Sequence, residues 1–67
     1  SAEEIALSDL SLSEAWAKLT PGERQVISLS SFEGLDNSSA AQVLGVSTNA
    51  FALRLSKAKA KLRKNLS

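Results

Sequence analysis

The stretch NSSAAQVLGVSTNAFALR, residues 37 to 54, decides the fold of this chain. A helix-turn-helix needs a small residue where its two helices touch, and a glycine in the turn that accepts a positive φ. Ala41 stands four residues before Gly45, and together they meet both requirements. Apolar side chains flank this turn, so the facing helices can bury them. The predicted core of the motif is Ala41, Leu44, Gly45, Val46, Phe51 and Leu55.

Capping signals divide the rest of the chain into helices joined by short turns. Ser-x-x-Glu at 11–14 and Thr-Pro-Gly-Glu at 20–23 both have the spacing of a capping box before an apolar helical face. Gly34 can end the second helix, residue 36 or 37 can cap the third, and Ser47 can cap the fourth. No segment alternates with a period of two. We therefore predict an all-α fold, a small bundle of about four helices at about 11–19, 21–33, 37–44 and 48–65.

Length and composition limit what this chain can do. Its 67 residues form at most one small domain, predicted to cover 11–67 after a linker or fraying N-terminal segment at 1–10. It contains no cysteine and no histidine, so we predict no enzyme activity, no metal or other cofactor and no small-molecule substrate. The absence of cysteine suits the cytoplasm. Because the sequence does not begin with methionine, we expect a fragment or processed product of a longer protein.

Charge is strongly segregated along the chain. Residues 1–36 hold all seven acids and two bases, whereas residues 37–67 hold six bases and no acid. Such a division creates a directional field that can orient a polyanion, although a run of charge is also compatible with a merely solvated surface. A membrane is not a predicted partner, because the apolar residues of the last helix are those that the core requires.

The spacing of the last helix assigns its faces. At about 100° per residue, the apolar side chains fall in one sector that must face the core. That sector contains Phe51, Leu55, Ala58, Leu62 and Leu66. Arg54, Lys57, Lys61 and Lys64 form a cationic stripe along one flank, while Lys59 and Arg63 lie on the other flank.

This layout suits a helix whose outer face enters a major groove while a cationic edge follows phosphates. The candidates for contact with base edges are Asn49, Leu53, Ser56 and Lys57. The candidates for contact with phosphates are Ser47, Thr48, Arg54, Lys61 and Lys64.

From residue 15 to residue 66 the sequence resembles domain four of a bacterial RNA polymerase sigma factor of the small extracytoplasmic-function type. LTPGERQVISLSSFEGLDNSSAAQVLGVS, residues 19–47, resembles its Leu-x-Pro-x-x-Arg opening, its Glu-Gly-hydrophobic turn and its Ala-x-x-Leu-Gly-hydrophobic-Ser core. LRLSKAKAKLRKNL, residues 53–66, resembles its closing Arg-Leu-x-Arg-Ala pattern. The resemblance implies binding of double-stranded promoter DNA at the minus 35 element, docking on the β-subunit flap of RNA polymerase core, and regulation by an anti-sigma factor.

The recognition helix departs from this family pattern. Where the family usually has Gly-Thr-Val, a basic residue and Ser, this chain has Asn49-Ala50-Phe51-Ala52-Leu53. The threonine and the basic residue, which is often a base reader, are thus replaced by alanines. Base reading then falls to other chemistry, such as contact between Leu53 and a thymine methyl group, or hydrogen bonds from Asn49 and its neighbours.

Two alternatives remain open at the level of sequence. LTPGERQVISL also fits the LuxR-like effector domain of response regulators, although that family carries Thr-Val-Lys in its recognition helix. The second alternative is a protein-interaction or regulatory module that kept the helix-turn-helix but lost strong affinity for DNA, which Ala50 and Ala52 would permit.

Overall fold

The computed structural model describes residues 11–67, and all regular secondary structure in this range is helical. The chain is helical over 11–17 (α1) and then forms α2 (Pro21–Ile27), which continues as a π-helical segment (Ser28–Phe32). Two further helices follow, α3 (Asn37–Leu44) and α4 (Thr48–Leu66). The predicted all-α fold is thereby confirmed, while the linker predicted at 1–10 lies outside the described residues.

Side-chain caps start three of the helices. Thr20 and Glu23 form a complete capping box on α2, with Thr20 N–H donating to Glu23 Oε1 at 2.7 Å and Glu23 N–H donating to Thr20 Oγ1 at 3.2 Å. Asp36 Oδ1 accepts from Ser39 N–H at 2.7 Å to cap α3. Ser47 Oγ accepts from the N–H of residue 50 at 3.1 Å to cap α4. These bonds satisfy donors that the first turn of a helix otherwise leaves without partners.

The first helix differs from its prediction at its last residue. Residue 11, the first that the structure describes, is helical, so Ser11 lies within the helix rather than at its cap. Its last helical residue is 17 rather than 19, because the chain tightens there and Leu19 N–H bonds to Trp16 O at 3.1 Å. Arg24 Nη1 then donates to Leu19 O at 2.8 Å and to Ala17 O at 3.3 Å. The guanidinium therefore satisfies carbonyls at the end of α1.

The second helix, predicted as one α-helix over 21–33, widens into a π-helical turn after Ile27. Glu33 N–H bonds to Ser28 O at 3.0 Å, a separation of five residues. A wider turn separates side chains that an α-helix would place on one face. Leu29 accordingly stays in the core, whereas Phe32 is 73% exposed.

Ten side chains form the buried core of the described residues. Phe51 is fully buried at its centre, where α4 packs on α2 and α3. Leu66, which the helical spacing assigned to the core-facing sector, is 46% exposed because it is the last residue of α4, and Leu12 in α1 is 50% exposed. The core comprises Ala15, Leu19, Val26, Ile27, Leu29, Ala40, Ala41, Phe51, Leu55 and Ala58.

The turn between α3 and α4 is closed by its own backbone. Gly45 has φ of 69°, and its N–H bonds to Gln42 O at 3.2 Å while Val46 N–H bonds to Ala41 O at 3.0 Å. This pair of bonds is the Schellman arrangement, which redirects a chain sharply at a left-handed residue. The glycine thus fixes the direction in which α4 leaves α3.

Gly45→Ala and Gly22→Ala should change stability in opposite directions. A Cβ at either position meets nothing within 4 Å, so only backbone preference distinguishes them. At Gly45 the left-handed φ makes alanine destabilising by about 1–2 kcal/mol, whereas at Gly22, inside α2, alanine should stabilise by about 0.5–1 kcal/mol. Urea unfolding of both variants measures the difference. Equal effects of the same sign would contradict this account of the turn.

Candidate nucleic-acid interface

The docking of α4 determines which of its side chains reach solvent. Phe51, Leu55 and Ala58 are buried, and they place the opposite side of the helix outward. On that outward side, Asn49, Leu53, Ser56 and Lys57, predicted to contact base edges, are all exposed. Leu53 is 57% exposed despite being apolar. Asn49 and Leu53, four residues apart, lie closest to the outer midline, and Ser56 lies towards the flank of Lys59.

Lys57 lies away from that midline. Together with Arg54, it lines a cleft between the start of α2, the end of α3 and the middle of α4, beside Gln25 and Thr20. Both cations are exposed at the mouth of this cleft. The position of Lys57 therefore groups it with Arg54 rather than with Asn49 and Leu53.

Lys61, predicted to contact phosphate, is engaged within the chain. Its Nζ lies 3.0 Å from Glu23 Oε1, and the two side chains are 41% and 26% exposed. The same Oε1 accepts the N–H of Thr20 in the capping box of α2. Lys61 thus joins the C-terminal half of α4 to the start of α2, and a phosphate would have to compete with a carboxylate for its ammonium group.

The remaining phosphate candidates occupy both ends of α4. Ser47 uses its hydroxyl oxygen as the helix cap, and Thr48 and Lys64 are exposed. On the other flank, Lys59 and Arg63 line a shallow depression with Ser56. All six cations of the helix lie after residue 53, so its first turn and a half carries no formal charge.

Two polar side chains hold the domain together in ways that the sequence analysis missed. One is Arg24, bonded to the carbonyls that end α1. The other is Asn65, whose Nδ2 donates to Ala15 O at 3.0 Å and so ties the end of α4 to α1. The family resemblance includes Arg24 in its Leu-x-Pro-x-x-Arg opening, but it does not indicate that this side chain binds the carbonyls near the end of α1. Nothing in the sequence marked Asn65, because its partner is a backbone atom 50 residues away.

An apolar groove lies on a different side of the domain. The rings of Trp16 and Phe32 lie 5.7 Å apart with their planes inclined by 60°. Leu12, Ile27 and Leu62 complete the apolar lining. Phe32 is largely exposed, so the groove presents aromatic surface to solvent. Trp16 is partly buried against the core, and the π-helical turn that brings Phe32 beside it has no sequence signal that we identified.

The two capping carboxylates are electrostatically stabilised in their charged forms. The pKa of Glu23 is lowered chiefly by the hydrogen bond from the backbone of Thr20, and further by Lys61. The pKa of Asp36 is lowered by the hydrogen bonds from Ser39.

Among the described residues, no cluster of carboxylate, histidine and cysteine groups is arranged to hold a metal ion. No helix in this part of the chain has the length and apolar character to cross a membrane.

Comparison with known protein families gives a match that covers the helix-turn-helix. The family described as Sigma-70, region 4 matches residues 9–62, which is most of the chain and includes α3 and α4 up to residue 62. No curated protein and no solved structure matches the chain.

Acid should destabilise the domain through its two capping carboxylates. A carboxyl group with a lowered pKa in the folded state contributes stability above its unfolded pKa, and this contribution disappears as the pH falls through the folded value. The ordinary values are 4.5 for Glu23 and 3.8 for Asp36, so the loss should occur below about pH 4.5. Glu23→Gln and Asp36→Asn retain capping ability without the charge. Thermal unfolding from pH 7 to 3 should therefore show a smaller decrease for the double variant. Identical pH profiles would contradict this assignment.

Proposed function

The chain belongs to the sigma-70 region 4 family, and from that membership we propose that it recognises the minus 35 promoter element through the outer face of α4. The family binds promoter DNA and interacts with RNA polymerase. Our proposal adds the element and the surface that contacts it. Such a domain acts in the cytoplasm as part of a sigma factor of the extracytoplasmic-function type, and has no catalytic activity of its own.

The observation that carries the proposal is the division of α4 into faces. Its buried side is occupied by Phe51, Leu55 and Ala58, so docking leaves the opposite side open along the helix. A recognition helix needs this arrangement, because its N-terminal residues reach base edges while neighbouring cations meet the phosphates. No acid follows Asp36 in the sequence, so neither α3 nor α4 carries a negative side chain to repel the duplex.

We assign roles along α4 from exposure and partners. Asn49, Leu53 and Ser56 face the bases. Lys57 moves to the phosphate contacts, because it shares the cleft of Arg54. Lys61 is given a structural role, because Glu23 holds its ammonium group. The phosphate contacts proposed are Ser47, Thr48, Arg54, Lys57 and Lys64.

The same family assignment favours sigma activity over the LuxR-like alternative. The interaction-only alternative retains one supporting observation, the absence of charge from the first turn and a half of α4. It predicts no binding to duplex DNA even at low salt, and therefore differs from our proposal in a direct titration.

Three cationic contacts predict a specific salt dependence. Each phosphate neutralised contributes about −0.9 to the slope of log K against log salt, so Arg54, Lys57 and Lys64 together predict about −2.7. Lys57→Glu should weaken binding to all sequences and make the slope less steep by about 1. Lys59→Glu is the matched control, because it makes the same charge change on the opposite flank. Titration of a promoter duplex with the full chain, alone and with polymerase core, measures both slopes. Equal slopes for the two variants would contradict the assigned flank.

We also propose that the apolar groove docks the β-subunit flap of RNA polymerase. Exposed aromatic surface beside a half-buried tryptophan is the composition of a protein-binding site. Its side chains come from α1, from the end of α2 and from α4 at Leu62, so an occupant would contact three elements at once. An anti-sigma factor would compete with polymerase if it covered the same groove.

Phe32→Ser should reduce affinity for the flap while leaving the fold intact. The side chain is 73% exposed, so its removal opens little cavity, and an aromatic side chain that is a hot spot of an interface contributes about 2 kcal/mol or more. Val43→Ser is the matched control, since Val43 is 62% exposed outside the groove. Calorimetric titration with the isolated flap measures both affinities, and thermal unfolding verifies the fold. Equal losses for the two variants, or no loss for either, would refute the groove as the flap site.

A further inference from the structure

The start of the outer face of α4 carries no charged side chain, which is unusual for a surface that contacts DNA. Over residues 47–53 it carries hydroxyl, amide and apolar groups, and neither a cation nor an acid. Asn49 is exposed, Leu53 is 57% exposed one turn later, and Ser56 is exposed beyond them. The first cation, Arg54, lines the cleft towards α2. The first turns of α4, which would enter the major groove, therefore carry no charged side chain that could read a base.

Each base presents a different set of groups in the major groove. Guanine is typically read by arginine or lysine, and the amino group of cytosine by a carboxylate. Adenine is read by the carboxamide of asparagine or glutamine, and the methyl group of thymine by an apolar side chain. Residues 48–53, the first turn and a half of α4, contain no arginine, lysine or carboxylate, and they present both of the other kinds of side chain.

A lone exposed leucine is common on protein surfaces, so the placement of Leu53 carries more weight than its exposure. It lies four residues after Asn49, on the side of the helix opposite the buried Phe51 and Leu55. Four residues correspond to about 6 Å along a helix, and successive base pairs are about 3.4 Å apart. The two side chains thus span about two base-pair steps.

We propose that Asn49 and Leu53 make this domain a reader of A·T pairs. Asn49 donates to N7 and accepts from N6 of one adenine, with its amide nitrogen and oxygen respectively in those roles. Leu53 packs against the C5 methyl group of a thymine about two base-pair steps away. This inference rests on the proposed function, since it names the bases that the same face would recognise.

Removing one methyl group from the DNA tests the leucine contact. The full chain is first used to select bound duplexes from a random pool, and each thymine of the selected site is then replaced by uracil, which lacks only that methyl group. At one position the replacement should weaken binding about fourfold, the equivalent of one buried carbon. Leu53→Ala should bind the thymine and uracil duplexes equally, because its contact with the methyl group is already lost.

A second substitution tests the asparagine contact. Replacing each adenine of the selected site in turn by 7-deazaadenine removes its N7 acceptor, and at one position this should weaken binding by the natural chain about fivefold or more. Asn49→Ala should be insensitive to that replacement. Both side chains are exposed, so neither variant opens a core cavity. Lys59→Ala, on the other flank of α4, is the control variant and should retain both sensitivities.

The outcomes separate this inference from the function on which it rests. Three results would overturn A·T reading and leave salt-dependent DNA binding intact. They are a selected site of only G·C pairs, no sequence preference in the selection, and equal affinity for every thymine and uracil duplex. Absence of binding at low salt, for the chain alone and with polymerase core, would overturn both. Loss of sensitivity in Lys59→Ala as well would also refute the assigned contacts.

Discussion

The structure depends on one packing constraint, the burial of α4 against α2 and α3 around Phe51. The ring is fully buried, with Ala40 and Ala41 among the core side chains around it. Small side chains allow the helices to approach, and the left-handed Gly45 sets the angle at which α4 leaves the turn. Once these residues are fixed, the outward direction of Asn49, Leu53 and Ser56 follows from helical geometry alone.

The C-terminal half of α4 is held by polar contacts with distant parts of the chain. Lys61 bonds to the carboxylate that caps α2, and Asn65 bonds to a carbonyl of α1. Between them, Leu62 lines the apolar groove. One helix therefore supplies the proposed DNA surface at its start and part of the proposed polymerase surface near its end. The sequence predicted that Lys61 contacts phosphate, but in the structure its ammonium group helps to hold α4 against α2.

Much of the fold was predictable because local signals agreed with the global arrangement. The capping residues Thr20, Asp36 and Ser47, and the glycine at 45, mark boundaries through bonds within a few residues. Apolar spacing identified the buried side of α4 for the same reason. The π-helical turn was not predictable, because no residue or spacing in 28–32 distinguishes it from the α-helix that precedes it. The pairing of Lys61 was not predictable either, since Glu23 lies 38 residues away and spacing along α4 does not reveal it.

The central claim, that the outer face of α4 lies in the major groove at the minus 35 element, can be tested by tethered cleavage. The chain has no cysteine, so Ser56→Cys provides a single attachment point for a DNA-cleaving iron chelate, and Glu14→Cys on α1 provides a control. Each conjugate is assembled with polymerase core on promoter DNA. The account predicts strand cleavage centred on the minus 35 element from position 56 and none there from position 14. Cleavage from position 14 alone, or from neither position in a complex that still binds the promoter, would contradict it.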